Sequence, residues 1–489
     1  METSTASQKR SLSREAGIML ALVAILVLGG VFRFYNVNWD EGTYHIHPDE
    51  RHTTMVITAI RWPGGLDDYV DCRRNLEPAC ADRLHLLEGM GEYFDTSHSP
   101  LNPRNSGMVY FYGSVPLFLT KLVATFGDLY LIGQAEQQPD PAEYLRTYAR
   151  PTDYNQIHLV GRVLSGLFDL ATVVLLFFLA RRLFNWRVGL VAALLLALTA
   201  LNIQGSHYFS VDTFLTFFVV LTMWFTLDVA DGKGWLSFVG LGISMGLTLA
   251  CKVSVFPLAL IVILAAWLRA RRLIAEGQRP GRTLATAALA LVLAGILSVV
   301  VFRVAQPYAW AGPNYDRQVE APEPYDRLLR VLEEAPEPFR SIIVPNPQWL
   351  VDIVAAGAQQ TGEADLPWGR QWTERTPWLF PLENMVLWGM GLPLGIAAWA
   401  GVGYTIFRLV QGWLRRRRMH RQVPRVEDYH RQASAPATQI TAAGQVGHLT
   451  YSNPRAMDLG LERWHLIVLP LAWVLLIFFW QGMQFVKSI

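Results

Sequence analysis

Three cysteines in 489 residues cannot build a disulfide scaffold, and they argue against a cysteine-based zinc cage. Charge is scarce too. Asp, Glu, Lys and Arg make up 17% of the chain, against about 25% in soluble domains. Lys+Arg number 42 and Asp+Glu 40, a net +2, which excludes a globally basic nucleic-acid binder. No solenoid period is visible, nor the inverted halves that many transporters carry. No small-residue cleavage site follows the first apolar run, so that run reads as retained and not as a signal peptide. What the chain has instead is apolar sequence. Hydrophobic residues make up 52% and the mean hydropathy is +0.23, with repeated apolar runs of about twenty residues. The length would suit roughly three soluble domains, but these runs describe one all-α polytopic membrane unit.

The first run, 17–31, follows Lys9, Arg10 and Arg14 and leads into Arg33-Phe34-Tyr35 and Trp39, an interfacial aromatic edge. It predicts a first span with a cytoplasmic N-terminus. Arginine clusters at Arg181/Arg182/Arg187, at Arg269 to Arg272 with Arg279 and Arg282, and at Arg415 to Arg418 all suit the cytoplasmic side. Nine spans then result: 17–34, 157–182, 188–204, 211–229, 234–251, 254–270, 283–305, 382–410 and 464–483. Loops 35–156, 203–212, 251–254 and 306–381 face outward. Val115 to Phe126 is apolar but too short to cross about 30 Å at 1.5 Å per residue, and it carries Lys121. It is expected to be an interfacial or re-entrant helix of the first outer loop.

The Pro- and Trp-rich stretch 306–381, with Pro307, Trp310, Trp368 and Trp372, predicts an ordered outer cap. Residues 411–463, rich in Arg, Gln, Ser, Ala and Pro, predict a flexible cytoplasmic linker. The last span lies within 464–489. Cys72 and Cys80, both in the first outer loop, can bridge in an oxidising compartment, whereas Cys251 at the membrane edge should stay free.

Polar chemistry concentrates just past the first span, from Trp39 to His52, where two acidic pairs (Asp40-Glu41 and Asp49-Glu50) lie among His45, His47 and His52. His47-Pro48-Asp49-Glu50 offers imidazole and carboxylate ligands to a divalent cation, or a carboxylate base with cationic neighbours. A solvated loop is the bland alternative for any single histidine. The second outer turn, Gln204 to Thr213, adds His207 and Asp212, and Asp212 opens the next helix, where an acid also favours the macrodipole. The third element is cationic: Lys252 between two apolar runs, and Arg162 near the outer start of the second span. A lysine can snorkel harmlessly there, but Arg and Lys at this depth also suit an anionic lipid headgroup. Asp169, inside the second span, is the feature that favours a transporter or flippase of a lipid-linked or anionic solute.

These residues resemble a family. Pro48-Asp49-Glu50-Arg51 is similar to the Asp-Glu signature of GT-C glycosyltransferases, the polyprenyl-phosphate-sugar-dependent enzymes related to aminoarabinose transferases and protein O-mannosyltransferases. Gly161-Arg162-Val163-Leu164-Ser165, Leu179-Ala180-Arg181-Arg182-Leu183-Phe184 and Ser206 to Asp212 resemble the second and third spans of those families, and Leu249-Ala250-Cys251-Lys252 their Lys-bearing edge. Tyr112-Gly113-Ser114-Val115-Pro116-Leu117 resembles their Pro-Pro-Leu juxtamembrane helix, with Val115 in place of one proline and the preceding Lys missing. The likeness covers about residues 15–270, and its wording is nearest to a bacterial branch of multi-pass proteins; since such relatives usually continue with further spans, the resemblance implies a short form or a fragment.

The resemblance implies a GT-C-like catalytic module over 1–305, followed by the loop 306–381, the span 382–410, the linker and the last span. It implies inverting transfer of a sugar from a polyprenyl-phosphate donor to a lipid, glycan or protein acceptor at the outer face of the cell membrane. Asp49 would be the base, with Glu50 and Asp212 as catalytic partners. Lys252, Arg162 and Arg51 would bind the donor phosphate. His47, Asp49, His207 and Asp212 would hold a divalent metal ion or form a metal-free hydrogen-bond network. Membrane lipids are expected partners; a nucleotide cofactor and nucleic acid are not expected.

Overall fold

The computed structural model describes residues 2–43, 46–315, 317, 319–337, 339–363, 367, 373–422 and 463–484. Every regular element among them is helical, apart from an isolated bridge between Trp310 and Pro345. The predicted all-α membrane architecture is therefore what forms. Among the described residues eight helices are long and apolar enough to cross a membrane, and one bent helix pair is a ninth candidate.

Helix α1 (Glu2–Phe34) carries the first apolar run. Its end meets the start of α7 (Tyr154–Leu183), where Gly166 lets the Phe34 ring approach α7. Deeper along this contact Arg33 Nε donates to Asp169 at 2.6 Å, and both side chains are buried. Asn202 donates to the other Asp169 oxygen at 2.9 Å. The intramembrane acid that favoured a transporter is thus satisfied inside the packing, as a lone carboxylate in hydrocarbon would have to be.

Between α1 and α7 lie α2 (Pro48–Ala59), α3 (Leu66–Arg74), α4 (Leu86–Phe94), α5 (Ser114–Ala135) and α6 (Pro141–Thr147). A disulfide joins Cys72 to Cys80, and Cys251 is free and buried. Helix α5 corrects the expected length. It runs 22 residues, about 33 Å, and is long and apolar enough to cross a membrane. It nevertheless stays in the loop layer. Lys121 pairs with Asp67 at 3.2 Å, Trp62 donates to Thr125 at 3.0 Å, and Asp128 pairs with Arg150 at 3.1 Å. Arg162, in the third turn of α7, donates to Val37 O just past α1 at 2.8 Å. The segment between α1 and α7 thus starts and ends at one level. A single crossing by α5 would leave α7 starting at the opposite end.

Helices α8 (Trp186–Ala197) and α9 (Ala200–Ser206) bend by 57° where one continuous span was expected. Arg33 stabilises the break: it donates to Ala197 O at 2.9 Å, a carbonyl left without its helical partner, and reaches Leu196 O at 3.4 Å. Helix α10 (Val211–Asp231) returns, and α11 (Trp235–Leu249) comes back with 15 residues, shorter than the expected 234–251. Gly242 and Gly246 bring α11 against the backbone of α13 (Pro280–Ala305), and a Cβ at either would lie under 3 Å from a carbonyl oxygen of α13. Helix α12 (Leu258–Ala275) completes this group.

The cap after α13 holds α14 (Tyr325–Glu333), α15 (Phe339–Ile343) and α16 (Pro347–Thr361). It is tied to the first loop layer by Arg104 on Asp352. Trp368 and Trp372 lie outside the described residues. The expected span 382–410 is interrupted: α17 (Leu379–Asn384) passes into a wide turn, Met385–Gly389, and α18 (Leu392–Gln422) starts afresh after Gly391 at φ 80°. Residues 411–422 are helical and not linker; 423–462 lie outside the described residues, as does the tail 485–489. Helix α19 (Trp464–Met483) packs beside α12 and α10. The first two arginine clusters meet at one end: Arg182 binds Asp228 and Asp231 at 2.6 Å, and Arg272 contacts Ala230 O and His465 at 3.0 Å. The loop layer and cap occupy the opposite end, called upper below.

Candidate active site

The upper ends of α2, α7 and α10 are locked by one cation. Arg162 is fully buried, and all five of its N–H groups have acceptors. Its Nη atoms reach Asp40 at 2.8 and 3.0 Å and Val37 O at 2.8 Å, while Nε and Nη reach Glu50 at 2.8 and 2.6 Å. Glu50 also accepts from Phe209 N at 2.7 Å. Gly161, one residue before Arg162, leaves the space that the Phe209 ring fills. Trp39 lies 5.3 Å from the guanidinium by its ring centroid and donates to His207 O at 3.2 Å. Burial works against the Asp40 carboxylate, but the Arg162 guanidinium outweighs it and holds its pKa below the ordinary value.

This corrects two sequence expectations. Arg162 has no donor left for a lipid phosphate. Glu50 is buried, with both carboxylate oxygens taken by Arg162 and one also by Phe209 N. Both act by placing the N-terminus of α2.

That placement leaves Asp49 outward. Pro48 starts α2, and Asp49 follows in its first turn, where the helix dipole favours an anion. Asp49 is exposed and makes no ion pair among the described residues. Arg51 is likewise exposed on α2 without an acidic partner among them.

A second group assembles opposite. Lys252, just after α11, reaches Asp212 at the start of α10 with Nζ at 3.1 Å from Oδ1. The pair is accessible: the Lys252 side chain is 33% exposed and Asp212 63%. Tyr112 joins them, with its ring centroid 5.8 Å from the Lys252 ammonium. The backbone explains this meeting. Gly113 N donates to Cys251 O at 2.9 Å and Val115 N to Ala250 O at 3.2 Å. A Cβ at Gly113 would overlap Ala250 O at 1.8 Å, so only glycine permits the strap. Gln306, buried after α13, accepts from Ser114 N at 2.5 Å and reaches Tyr112 O at 3.5 Å.

Burial raises the Tyr112 pKa, and the carboxylates of Asp49 and Asp212 raise it further. Both acids therefore lie within electrostatic reach of one phenol. Cys251 is raised as well, by burial and then by Asp212, so it is an inert thiol. The constellation facing the surface is Asp49, Tyr112, Asp212 and Lys252. Tyr112 was missed as a site residue in the sequence because only the resemblance to a juxtamembrane motif marked it.

The four metal-ligand candidates do not gather. Among the described residues no three His, Cys, Asp or Glu side chains are placed to hold an ion. The His207 ring nitrogens face Ile203 O at 2.8 Å and Tyr35 O at 3.1 Å. His47 packs its ring on Tyr208, with centroids 4.4 Å apart. His45 lies outside the described residues.

Residues 155–302 match the sequence profile of the dolichyl-phosphate-mannose-protein mannosyltransferase family. The match runs from α7 into α13 and includes Arg162, Asp212 and Lys252, with Asp49 and Tyr112 upstream of it. No curated protein matches the chain.

Proposed function

We propose, from the premise that this family match supports a membrane glycosyltransferase of the GT-C type, that the chain transfers a sugar from a polyprenyl-phosphate donor with inversion. The observations that support the reading are the exposed Asp49 carboxylate in the first turn of α2 and the accessible Lys252–Asp212 pair, with the Tyr112 pKa raised by burial and by both carboxylates. The reaction joins an acceptor oxygen to the anomeric carbon while the bond from that carbon to the phosphate oxygen breaks. Asp49 takes the acceptor proton. The electron pair of the broken bond stays on the lipid phosphate, where the Lys252 ammonium offsets the growing charge. Asp212 holds that ammonium in position. Lys252 does electrostatically what a divalent ion would do, so no step is assigned to a metal.

The site belongs at the outer face of the cell membrane in this reading. The arginine-rich end opposite it suits the cytoplasm, with the N-terminus there too. A lipid-linked donor would approach sideways between helices, its phosphate at the depth of Lys252. The acceptor is a lipid, glycan or protein, and membrane lipids surround the bundle.

The test uses purified protein in lipid nanodiscs with radiolabelled polyprenyl-phosphate hexoses or pentoses and a cell-envelope extract as acceptor. Label should move to the acceptor. Asp49→Asn keeps the size of the side chain but removes the proton acceptor, and turnover should fall about 10²–10⁴-fold while the donor still binds. Full transfer by Asp49→Asn removes Asp49 as base; no transfer by the wild type from any donor defeats the reading.

A further inference from the structure

The Tyr112 hydroxyl is a donor that the protein leaves open to an arriving ligand. The phenol hydrogen-bonds to no protein group among the described residues, although its half-buried ring has aromatic and cationic neighbours. Tyr110 packs edge-on with centroids 6.0 Å apart, Phe111 at 4.5 Å, and the Lys252 ammonium sits 5.8 Å from the ring centre. The strap from Gly113 to Cys251 and the Gln306 contact fix its backbone. A phenol whose ring lies 5.8 Å from a lysine ammonium, with its O–H unshared with protein among the described residues, can meet an anion or a hydroxyl arriving with substrate.

We propose that the Tyr112 hydroxyl donates a hydrogen bond to the departing lipid phosphate beside Lys252, forming the second half of the leaving-group site. The proposal rests on the glycosyl-transfer reading above. As the carbon–oxygen bond to phosphate breaks, its electron pair remains on the phosphate oxygen. Lys252 meets that charge as a cation and Tyr112 as a neutral donor. Burial and the two nearby carboxylates disfavour the phenolate, so the phenol shares its proton with the phosphate and keeps it. The acceptor proton goes to Asp49, and the balance needs no further acid. Asp212 neutralises part of the lysine charge in the resting site, which leaves room for a neutral donor to contribute.

Three forms of the protein test this with radiolabelled polyprenyl-phosphate mannose in nanodiscs: wild type, Tyr112→Phe and Tyr112→Leu. Tyr112→Phe keeps the ring under Lys252 and removes only the hydroxyl. Its kcat should fall roughly 10²–10³-fold, the usual loss for one charge-directed donor, with donor KM within about threefold and a melting temperature within about 2 °C of wild type. Tyr112→Leu should lose kcat similarly and also raise KM, because the lysine loses its aromatic support. A Tyr112→Phe enzyme with wild-type kcat overturns the proposal while leaving glycosyl transfer standing. A Tyr112→Phe enzyme that changes KM alone, or that melts far lower, also overturns it, since the hydroxyl then serves binding or packing. Absence of transfer by the wild type defeats both this proposal and the reading beneath it.

Discussion

Replacing Arg162 by Met should destabilise the folded protein strongly without touching a group that faces substrate. The perturbation strands two carboxylates. Asp40 and Glu50 are both buried, and together they accept four of the five hydrogen bonds that Arg162 makes. Removing one partner of a buried ion-pair network costs about 3–5 kcal/mol, chiefly because uncompensated charge stays behind. The fifth bond, to Val37 O, adds about 1 kcal/mol at most. A pH signature separates this mechanism from simple loss of packing. In the wild type the Asp40 pKa is depressed, so its stabilisation is present above the unfolded value near 3.9 and is lost as pH falls through the folded value. In Arg162→Met a buried carboxylate without its cation has a raised pKa and takes up a proton on folding. The deficit relative to wild type therefore grows with pH, by up to about 1.4 kcal/mol per unit for each such group. Denaturant titration in detergent at pH 5 and pH 8, followed by tryptophan fluorescence, reads both quantities. Adding Asp40→Asn and Glu50→Gln to Arg162→Met should recover much of the loss, because a neutral network strands no charge. A deficit below about 1 kcal/mol, or one equal at both pH values, refutes the reasoning.

Lys252→Ala should weaken binding of a labelled polyprenyl-phosphate donor and slow transfer as well, each by about tenfold or more; unchanged donor binding would remove the lysine from the phosphate site. Arg33→Leu leaves Asp169 buried beside Asn202 alone, so it should cost about 3–5 kcal/mol in the same titration, whereas Arg33→Leu with Asp169→Leu should cost much less. Reporters of membrane side fused after Gly362 and after Arg418 should score external and cytoplasmic respectively; the reverse result would place the site on the wrong face.

The membrane class of this protein was legible because it depends on composition summed over about twenty residues, and hydrocarbon tolerates little else at that length. The arginine clusters were legible for a similar reason: charge placed between runs needs no knowledge of packing. Lys252 and Asp212, 40 positions apart, were both picked out singly, each at the end of an apolar run. The disulfide between Cys72 and Cys80 could be named as permitted, but only folded backbone brings the two sulfurs together. Where local pattern misled, a distant partner intervened. The break between α8 and α9 is capped by Arg33, 164 positions from Ala197, and α5 runs well past its apolar stretch to Ala135, where its later side chains bind the loop layer.

By itself the sequence determined that the chain is a helical membrane protein with one end rich in arginine and an acidic, histidine-bearing segment after the first helix. Those properties are local, and they follow from hydrophobic transfer and charge. Tertiary structure decided which polar group does what. Asp40, Glu50 and Asp49 lie within eleven residues of one another, yet the first two are buried on an arginine more than a hundred positions away and the third faces solvent. Tyr112 enters the site only because a glycine lets its strap lie on the end of α11. The physical reason is desolvation. Whether a carboxylate is a structural anchor or a reactive base depends on the cation and the water it meets, and packing across the whole chain sets both.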